Sequence, residues 1–311
     1  MLPGAPGVRI LPFGKHSPSC ALDIMIRLLS RTAILAGLAL GAACASIPGR
    51  VADERPVELV AHRGESYDAP ENTLSAFDLA WERGGTTIEL DVHLTRDGGL
   101  ILSHDANTKR TTGADRVIRQ STLSVLRSLE AGRWKAERWA GEKLPTLDET
   151  LARVPAGRRV FIEIKEGPDV VPVVASAVER AAKAPGQLVI IAFDSLTVAA
   201  AKRLLPGIPA LYLSSFRRDS LTGVYTPTVD QLIATARRIG ADGLDLSVSG
   251  PIDEAFVRRV KNAGLEMHVW TVDDPAVAVR MARAGVDGIT TNRAAWLRDE
   301  LTRQGVRVRA P

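Results

Sequence analysis

From Val57 onward the chain alternates short, almost wholly apolar runs with longer stretches in which apolar residues recur every three or four positions. The runs are Val57 to Ala61, Thr87 to Val92, Leu100 to Ser103, Val160 to Ile164, Leu188 to Phe193, Ala210 to Leu213, Gly243 to Leu246, Glu266 to Thr271 and Gly288 to Thr291. Each has the length and the apolar content of a buried β-strand. Between them Asn72 to Arg83, Asp169 to Lys183, Ser195 to Leu204, Val229 to Ile239, Asp253 to Ala263 and Pro275 to Ala284 read as helices. A parallel pair needs a crossover of a dozen or more residues, but only Thr95 to Gly99, with Asp97-Gly98 as the turn signal, separates the second run from the third. Those two runs therefore predict an antiparallel hairpin. The remaining eight strands and their helices predict an α/β fold of the TIM (β/α)8 type, closed by pairing of the Val57 and Gly288 strands. Ala106 to Leu144, polar and containing Trp134 and Trp139, departs from the repeat and reads as an insertion above the barrel mouth.

The first 56 residues follow another pattern. From Met25 a positive Met-Ile-Arg-Leu-Leu-Ser-Arg segment leads into an apolar stretch, Thr32 to Ala43, and then into small residues through Ser46, the layout of an export signal. The stretch is too short and too rich in Ala and Gly for a membrane span, which needs about 20 apolar residues. Residues 1 to 24 show no periodic pattern, so Met25 is the expected true start. The organisation read from the sequence is a leader and export signal over 1–46, a linker over 47–56 and a barrel domain over 57–311. The expected location is periplasmic or secreted.

Both cysteines, Cys20 and Cys44, lie in the leader, which removes thiol catalysis, zinc-thiolate sites and disulfides from the folded part. Leu40-Gly41-Ala42-Ala43-Cys44 resembles a bacterial lipoprotein signal with its apolar residue one place too far from the Cys, while Ala43-Cys44-Ala45 also fits ordinary signal cleavage. Soluble export and a membrane tether through a lipidated Cys44 both stay open. Of the formal charge of +4, the leader contributes Arg9, Lys15, Arg27 and Arg31 against Asp23, so the folded part is close to neutral. That argues against nucleic acid as a partner.

Four polar islands sit at the C-terminal ends of apolar runs: His62-Arg63-Gly64, Glu89-Leu90-Asp91, His104-Asp105 and Glu163-Ile164-Lys165. Active sites of such barrels gather there. Glu89 and Asp91 lie two apart and share one face of their strand, and Glu163 and Lys165 repeat the arrangement on the next. Three carboxylates converging on one point repel unless a counter-charge is present, and a hard divalent cation, Mg2+ or Ca2+, removes that repulsion. His62 and His104 flank the carboxylates, suited to act as a general acid and a general base in either order. Arg63 and Lys165 are suited to hold phosphate oxygens. The set is a kit for metal-assisted phosphodiester cleavage, with a small-molecule substrate as the expected partner. Trp270, at the end of its strand and facing as His268 does, reads either as a wall for the substrate or as core packing. His93 and His268 read as structural.

His62-Arg63-Gly64, Pro70-Glu71-Asn72-Thr73, Glu89-Leu90-Asp91-Val92, Thr95-Arg96-Asp97-Gly98, His104-Asp105 and Glu163-Ile164-Lys165, in this order and spacing, resemble the glycerophosphodiester phosphodiesterase family. Arg110-Thr111-Thr112-Gly113, Leu144-Pro145-Thr146-Leu147, Val269-Trp270-Thr271-Val272 and Gly285-Val286-Asp287-Gly288 are similar to its secondary landmarks, so the resemblance spans about Val57 to Arg293. It implies a TIM barrel that hydrolyses glycerophosphodiesters to sn-glycerol 3-phosphate and an alcohol. By the same resemblance Glu89, Asp91 and Glu163 match metal ligands, His62 and His104 the acid and base, Arg63 and Lys165 the phosphate contacts, and Glu71 a carboxylate at the rim. Asn72 reads as a helix N-cap. The family often ends its last strand with Thr-Asp-Arg-Pro, where this chain has Thr291-Asn292-Arg293-Ala294.

Two rival readings stand beside this one. A lysophospholipase D or phosphatidylinositol-type phosphodiesterase would keep the barrel and the metal and use residues 106 to 144 as an apolar entrance. A catalytically inactive barrel would serve as a surface-binding protein.

Overall fold

The computed structural model describes residues 55–310. The leader, the export signal, the Met25 start, both cysteines and the linker as far as Glu54 lie outside the described residues. Among the described residues no helix is long and apolar enough to cross a membrane.

Among the described residues eleven strands occur: β1 (Glu58–Ala61), β2 (Thr87–Leu94), β3 (Leu100–Leu102), β4 (Arg159–Ile164), β5 (Leu188–Ala192), β6 (Ala210–Ser214), β7 (Arg217–Arg218), β8 (Tyr225–Thr226), β9 (Gly243–Ser247), β10 (Glu266–Trp270) and β11 (Gly288–Thr291). Around the barrel the order is β1, β2, β4, β5, β6, β9, β10, β11, every neighbouring pair parallel. The ring closes where Glu58 to Ala61 pair with Gly288 to Thr291. β3 lies antiparallel on the outer end of β2, pairing Val92 with Leu102 and Leu94 with Leu100. The predicted barrel, its closure and its hairpin are all present.

The helices are α1 (Leu74–Glu82), α2 (Lys109–Thr112), α3 (Leu123–Ser128), α4 (Leu147–Arg153), α5 (Val171–Ala181), α6 (Ser195–Leu204), α7 (Val229–Ile239), α8 (Glu254–Asn262), α9 (Pro275–Ala284) and α10 (Ala294–Arg303). Strand residues alternate between two cores, as the twofold period requires. Ile88, Leu90 and Val92, Val160, Ile162 and Ile164, and Leu244 and Leu246 turn outward into one core shared with Phe77, Leu151, Val174 and Val198 of the helices. Burial of each such side chain contributes about 1.5–3 kcal/mol. Val60, Phe161, Val189, Ile191, Leu211 and Leu213 turn inward, with Trp270 against them. The inner core is small because most other inward positions of β1, β2, β4, β9 and β10 are polar, and those at the mouth make the site.

α2, α3, α4, α10 and the β7–β8 pair add to the elements read from the sequence, and two departures are instructive. α4 was not foreseen because its seven residues are too few for a helical period to show, yet it is announced by a capping box. Thr146 accepts from the Glu149 N–H, and the Glu149 carboxylate accepts from the Thr146 N–H. Residues 106–144 are less solvated than their polarity suggests. Ile118, Leu126, Ala131 and Leu144 close on Ile101 of the hairpin to make a separate small core. Four apolar residues scattered over nearly thirty positions leave no periodic trace.

Candidate active site

Arg63 follows β1 in the left-handed region, with φ +54°, a costly conformation for a residue that carries a Cβ and one that must be held from outside. Its N–H donates to Glu89 Oε2 at 2.9 Å and its carbonyl accepts from the Asn72 N–H at 3.0 Å. Gly64 follows with φ +83°, packed so closely on Ala76 that a Cβ would stand 2.6 Å from its backbone. The His-Arg-Gly island is thus a tight turn that points His62 and Arg63 into the barrel mouth.

Glu89, Asp91 and Glu163 each offer a carboxylate oxygen within 4.8 Å of the other two, and all three are buried. Glu89 Oε1 and Asp91 Oδ1 have no hydrogen-bond partner. Burial and the charges of Asp91 and Glu163 push the Glu89 carboxyl well above the usual carboxylate range. Burial and the Asp91 charge push Glu163 up to about 7. For Asp91 burial acts in the same direction, but Lys165, Arg63 and the Asn72 amide outweigh it and hold the carboxyl below its ordinary value. Lys165 Nζ donates to Glu163 Oε1 at 2.7 Å and stands 3.3 Å from Asp91 Oδ1; Arg63 Nε stands 3.2 Å from Asp91 Oδ2. Three acids and two cations leave a local negative excess and two orphaned oxygens. That donor set fits a hard metal ion, and the cluster can hold one.

The two histidines flank the cluster on separate supports. His62 Nδ1 bonds Asn292 Oδ1 at 2.7 Å. Asn292 Nδ2 donates to Asp273 Oδ2 at 2.6 Å, and Ser66 Oγ donates to Asn292 Oδ1 at 3.0 Å. With the amide nitrogen committed to Asp273, its oxygen faces the ring, so His62 Nδ1 is the donor and Nε2 carries the lone pair. Burial and the Arg63 charge lower His62 to about 4, which keeps it neutral. His104 is half exposed, its Nδ1 2.7 Å from Asp105 Oδ1, and burial with the Arg63 charge lowers it in spite of that carboxylate. The Arg110 hydrogen bond brings Asp105 down to about 2.

The rim is a chain of ion pairs. Arg110 joins Asp105 at 2.7 Å to both oxygens of Glu71 at 2.8 Å, and Glu71 holds Arg63 Nη1 at 2.9 Å. Glu71 faces cations on both sides. Asn72, expected to cap α1, does not. Thr73 caps it by accepting from the Ala76 N–H, while Asn72 is buried with φ +56° and clasps Asp91, donating to Oδ2 at 2.8 Å and accepting from the Asp91 N–H at 3.1 Å. A Pro-Glu-Asn-Thr string offers two equally good caps, and only the buried partner on β2 separates them. His93 bonds Glu166 and the His104 carbonyl, the supporting place expected of it. Asp273 and Asp245 carry no functional signal in the sequence, since each looks like an ordinary strand-end or turn polar residue, and Asn292 shows only as the departure from the family's Thr-Asp-Arg-Pro.

Opposite the charges the mouth is apolar. Ile191, Phe193, Leu213 and Trp270 line a cavity of about 170 Å3 together with His62, Arg63, Glu89, His104, Glu163, Lys165 and Asp245. Trp270 meets Phe193 edge-on at 5.6 Å and donates its indole N–H to the Asp245 carbonyl at 3.1 Å. It joins the inner core and lines the cavity at once, so neither expectation for it excluded the other. A phosphodiester fits this division: charged groups for phosphate on one side, an apolar wall for carbon on the other.

The sequence of residues 62–295 matches the model of the glycerophosphoryl diester phosphodiesterase family. Glycerophosphodiester phosphodiesterase of Caldanaerobacter subterraneus subsp. tengcongensis is 34% identical over 240 residues, covering 75% of this chain and 93% of that protein. Glycerophosphodiester phosphodiesterase of Bacillus subtilis is 30% identical over 250 residues, 75% and 82% of the two chains. Among solved structures, an Oleispira antarctica phosphodiesterase in complex with the product sn-glycerol-3-phosphate superposes with a TM-score of 0.68 at 26% identity, covering 79% of this chain and 96% of that one. The chain belongs to the glycerophosphoryl diester phosphodiesterase family.

Proposed function

We propose that the protein hydrolyses glycerophosphodiesters to sn-glycerol 3-phosphate and an alcohol. The carrying observation is the buried triad of Glu89, Asp91 and Glu163 set between two independently supported histidines. Family membership and a relative that holds sn-glycerol-3-phosphate as its product support the substrate class.

His62, neutral and with its Nδ1 proton held by Asn292, takes a proton from the attacking hydroxyl on Nε2. His104, beside the Asp105 carboxylate, gives a proton to the leaving alkoxide as its bond to phosphorus breaks. Arg63 and Lys165 stabilise the charge that develops on the non-bridging oxygens. Glu71 keeps Arg63 aimed, its own carboxylate being occupied by cations. Glu89, Asp91 and Glu163 would hold one divalent ion, Mg2+ or Ca2+. When bound, that ion supplies Lewis-acid stabilisation of the phosphoryl oxygens and cancels the repulsion among its ligands.

The dimensions of the mouth favour a small glycerol ester over a lysophospholipid. A cavity of about 170 Å3 matches a glycerol ester in size, and Ile118, Leu126, Ala131 and Leu144 of the insertion close on their own core instead of lining an entrance, while Val117, Val125 and Trp134 stay exposed. The leader is read as an export signal, with the barrel released or tethered at Cys44; mass spectrometry of the mature N-terminus distinguishes these, and residues 1–24 found in a precursor would reject Met25 as the start.

Choline release from glycerophosphocholine is expected with Mg2+ or Ca2+ and is expected to vanish in EDTA. Undiminished release in EDTA would remove the metal from the mechanism. Faster turnover of lysophosphatidylcholine than of glycerophosphocholine would favour the lipid reading.

A further inference from the structure

Among the charged side chains that line the cavity, one takes no part in the chemistry above. Asp245 lies on β9, four strands around the ring from β2 in either direction, so it faces Glu89 and Asp91 across the barrel. It is 1% exposed, and its Oδ1 has no hydrogen-bond partner among the described residues. The neighbouring His268 on β10, its partner in the register, attracts it without hydrogen-bonding it, and His268 Nδ1 is itself without a partner among the described residues. His268 Nε2 stands 3.4 Å from Glu266, and the Nδ1 side of the ring fills the space that a Cβ on Gly288 would need. Burial raises the Asp245 carboxyl to about 6, against the pull of His268, so near neutral pH it is largely an anion without a donor. A buried acceptor left in that state is costly unless something donates to it.

The surroundings say what would. Asp245 borders the same cavity as Ile191, Phe193, Leu213 and Trp270, the side away from Arg63 and Lys165, where a phosphate would sit. Phosphate is repelled by a carboxylate, and an alkyl chain gains nothing from it. A neutral hydroxyl both donates to it and fits between it and the apolar wall.

We infer that Asp245 is the specificity residue for the glycerol end of the substrate, accepting a hydrogen bond from a glycerol hydroxyl while Trp270, Phe193, Ile191 and Leu213 pack its carbons. This rests on the glycerophosphodiester reading and deepens it. The lesson for substrate choice is direct: a site that offers a buried acceptor to a hydroxyl discriminates against the analogue that lacks it far more strongly than an apolar pocket does.

The test is calorimetric binding to the divalent-cation-loaded enzyme, using sn-glycerol 3-phosphate, 1-propyl phosphate and inorganic phosphate. Wild type is expected to hold sn-glycerol 3-phosphate at least about tenfold more tightly than 1-propyl phosphate. Asp245→Leu is expected to erase that difference, leave inorganic phosphate within about twofold, and raise the KM for glycerophosphocholine by about tenfold with a smaller change in kcat. Asp245→Asn keeps an acceptor oxygen and is expected to stay within about threefold of wild type. Equal affinity of Asp245→Leu and wild type for sn-glycerol 3-phosphate overturns the assignment and leaves a merely structural acid. So does a loss that falls equally on all three ligands. If Asp245→Leu does not fold, the wild-type comparison decides by itself: 1-propyl phosphate binding as tightly as sn-glycerol 3-phosphate rejects the hydroxyl subsite. A wild-type enzyme that hydrolyses no glycerophosphodiester removes the functional reading as well, so the two failures are told apart.

Discussion

The two ends of the barrel bury carboxylates in opposite ways. At the bottom Glu58 is 1% exposed and fully answered: Thr87 Oγ1 donates to it at 2.5 Å, Arg309 pairs with Oε1 at 3.0 Å, and Arg159 pairs with Oε2. At the mouth Glu89, Asp91 and Glu163 share two cations, and two of their oxygens have no hydrogen bond. A buried acid that is answered holds the fold together, while acids buried together and left unanswered lower stability and are positioned for a ligand. The same residue type thus serves stability at one end and chemistry at the other, the division known for this architecture.

Exchanging the two kinds of acid gives the largest contrast. Glu163→Gln is expected to cut turnover by more than about a thousandfold, because it removes a proposed metal ligand, while the metal-free melting temperature rises as repulsion with Asp91 and Glu89 is relieved. Glu58→Gln is expected to do the reverse: kcat within about twofold of wild type and a stability loss of about 2 kcal/mol by urea titration. That loss is moderate for a broken buried pair because Arg309 is 44% exposed and can turn to solvent. Turnover of Glu163→Gln within tenfold of wild type would dissolve the distinction between the ends.

Next come the flanking histidines. His62→Ala and His104→Ala are each expected to lower kcat by at least about a hundredfold with the fold intact by circular dichroism; wild-type turnover in either variant would strip that residue of its role. A smaller effect is expected at Asn292, which acts through His62. Asn292→Ala should cost about tenfold in kcat with little change in KM. Asn292→Asp should restore most of it and move the acid limb of the pH profile upward, because a carboxylate beside the ring favours the imidazolium that Asn292 leaves unassisted. An unmoved acid limb in Asn292→Asp would separate Asn292 from His62 ionisation.

The mildest effect is on stability against pH. Glu163 is raised to about 7 and Glu89 is raised as well, so the metal-free native state binds more protons than the unfolded chain between about pH 4.5 and 7. Stability from these groups is therefore present at the acid side of that window and is lost as pH rises through it. Divalent cation is accordingly expected to raise the melting temperature more at about pH 8 than at about pH 5, by a few degrees. An equal rise at both would mean that ion and proton do not compete for these carboxylates.

Much of this was written in one dimension. Apolar runs at strand spacing fixed the number of staves, and the five residues between two of them forced the hairpin, because no parallel crossover is that short. His62, Arg63, Glu89, Asp91, His104, Glu163 and Lys165 stood out because charged residues at the ends of buried strands have little structural reason to be there. α4 and the small core of the insertion stayed hidden, one too short and the other too dispersed for any period to register.

What the linear order determined, then, was which residues project inward and at which end of the barrel, since alternation along a strand is a property of the chain itself. Only the closed ring decided that Asn72 clasps Asp91 instead of capping a helix, that Asn292 fixes the tautomer of His62 from 230 positions away, and that Asp245 stands unanswered across the mouth from Glu89 and Asp91. Each of these is a hydrogen bond made or withheld between distant segments. Whether a polar group finds its partner depends on position in space, which neighbours in sequence do not specify.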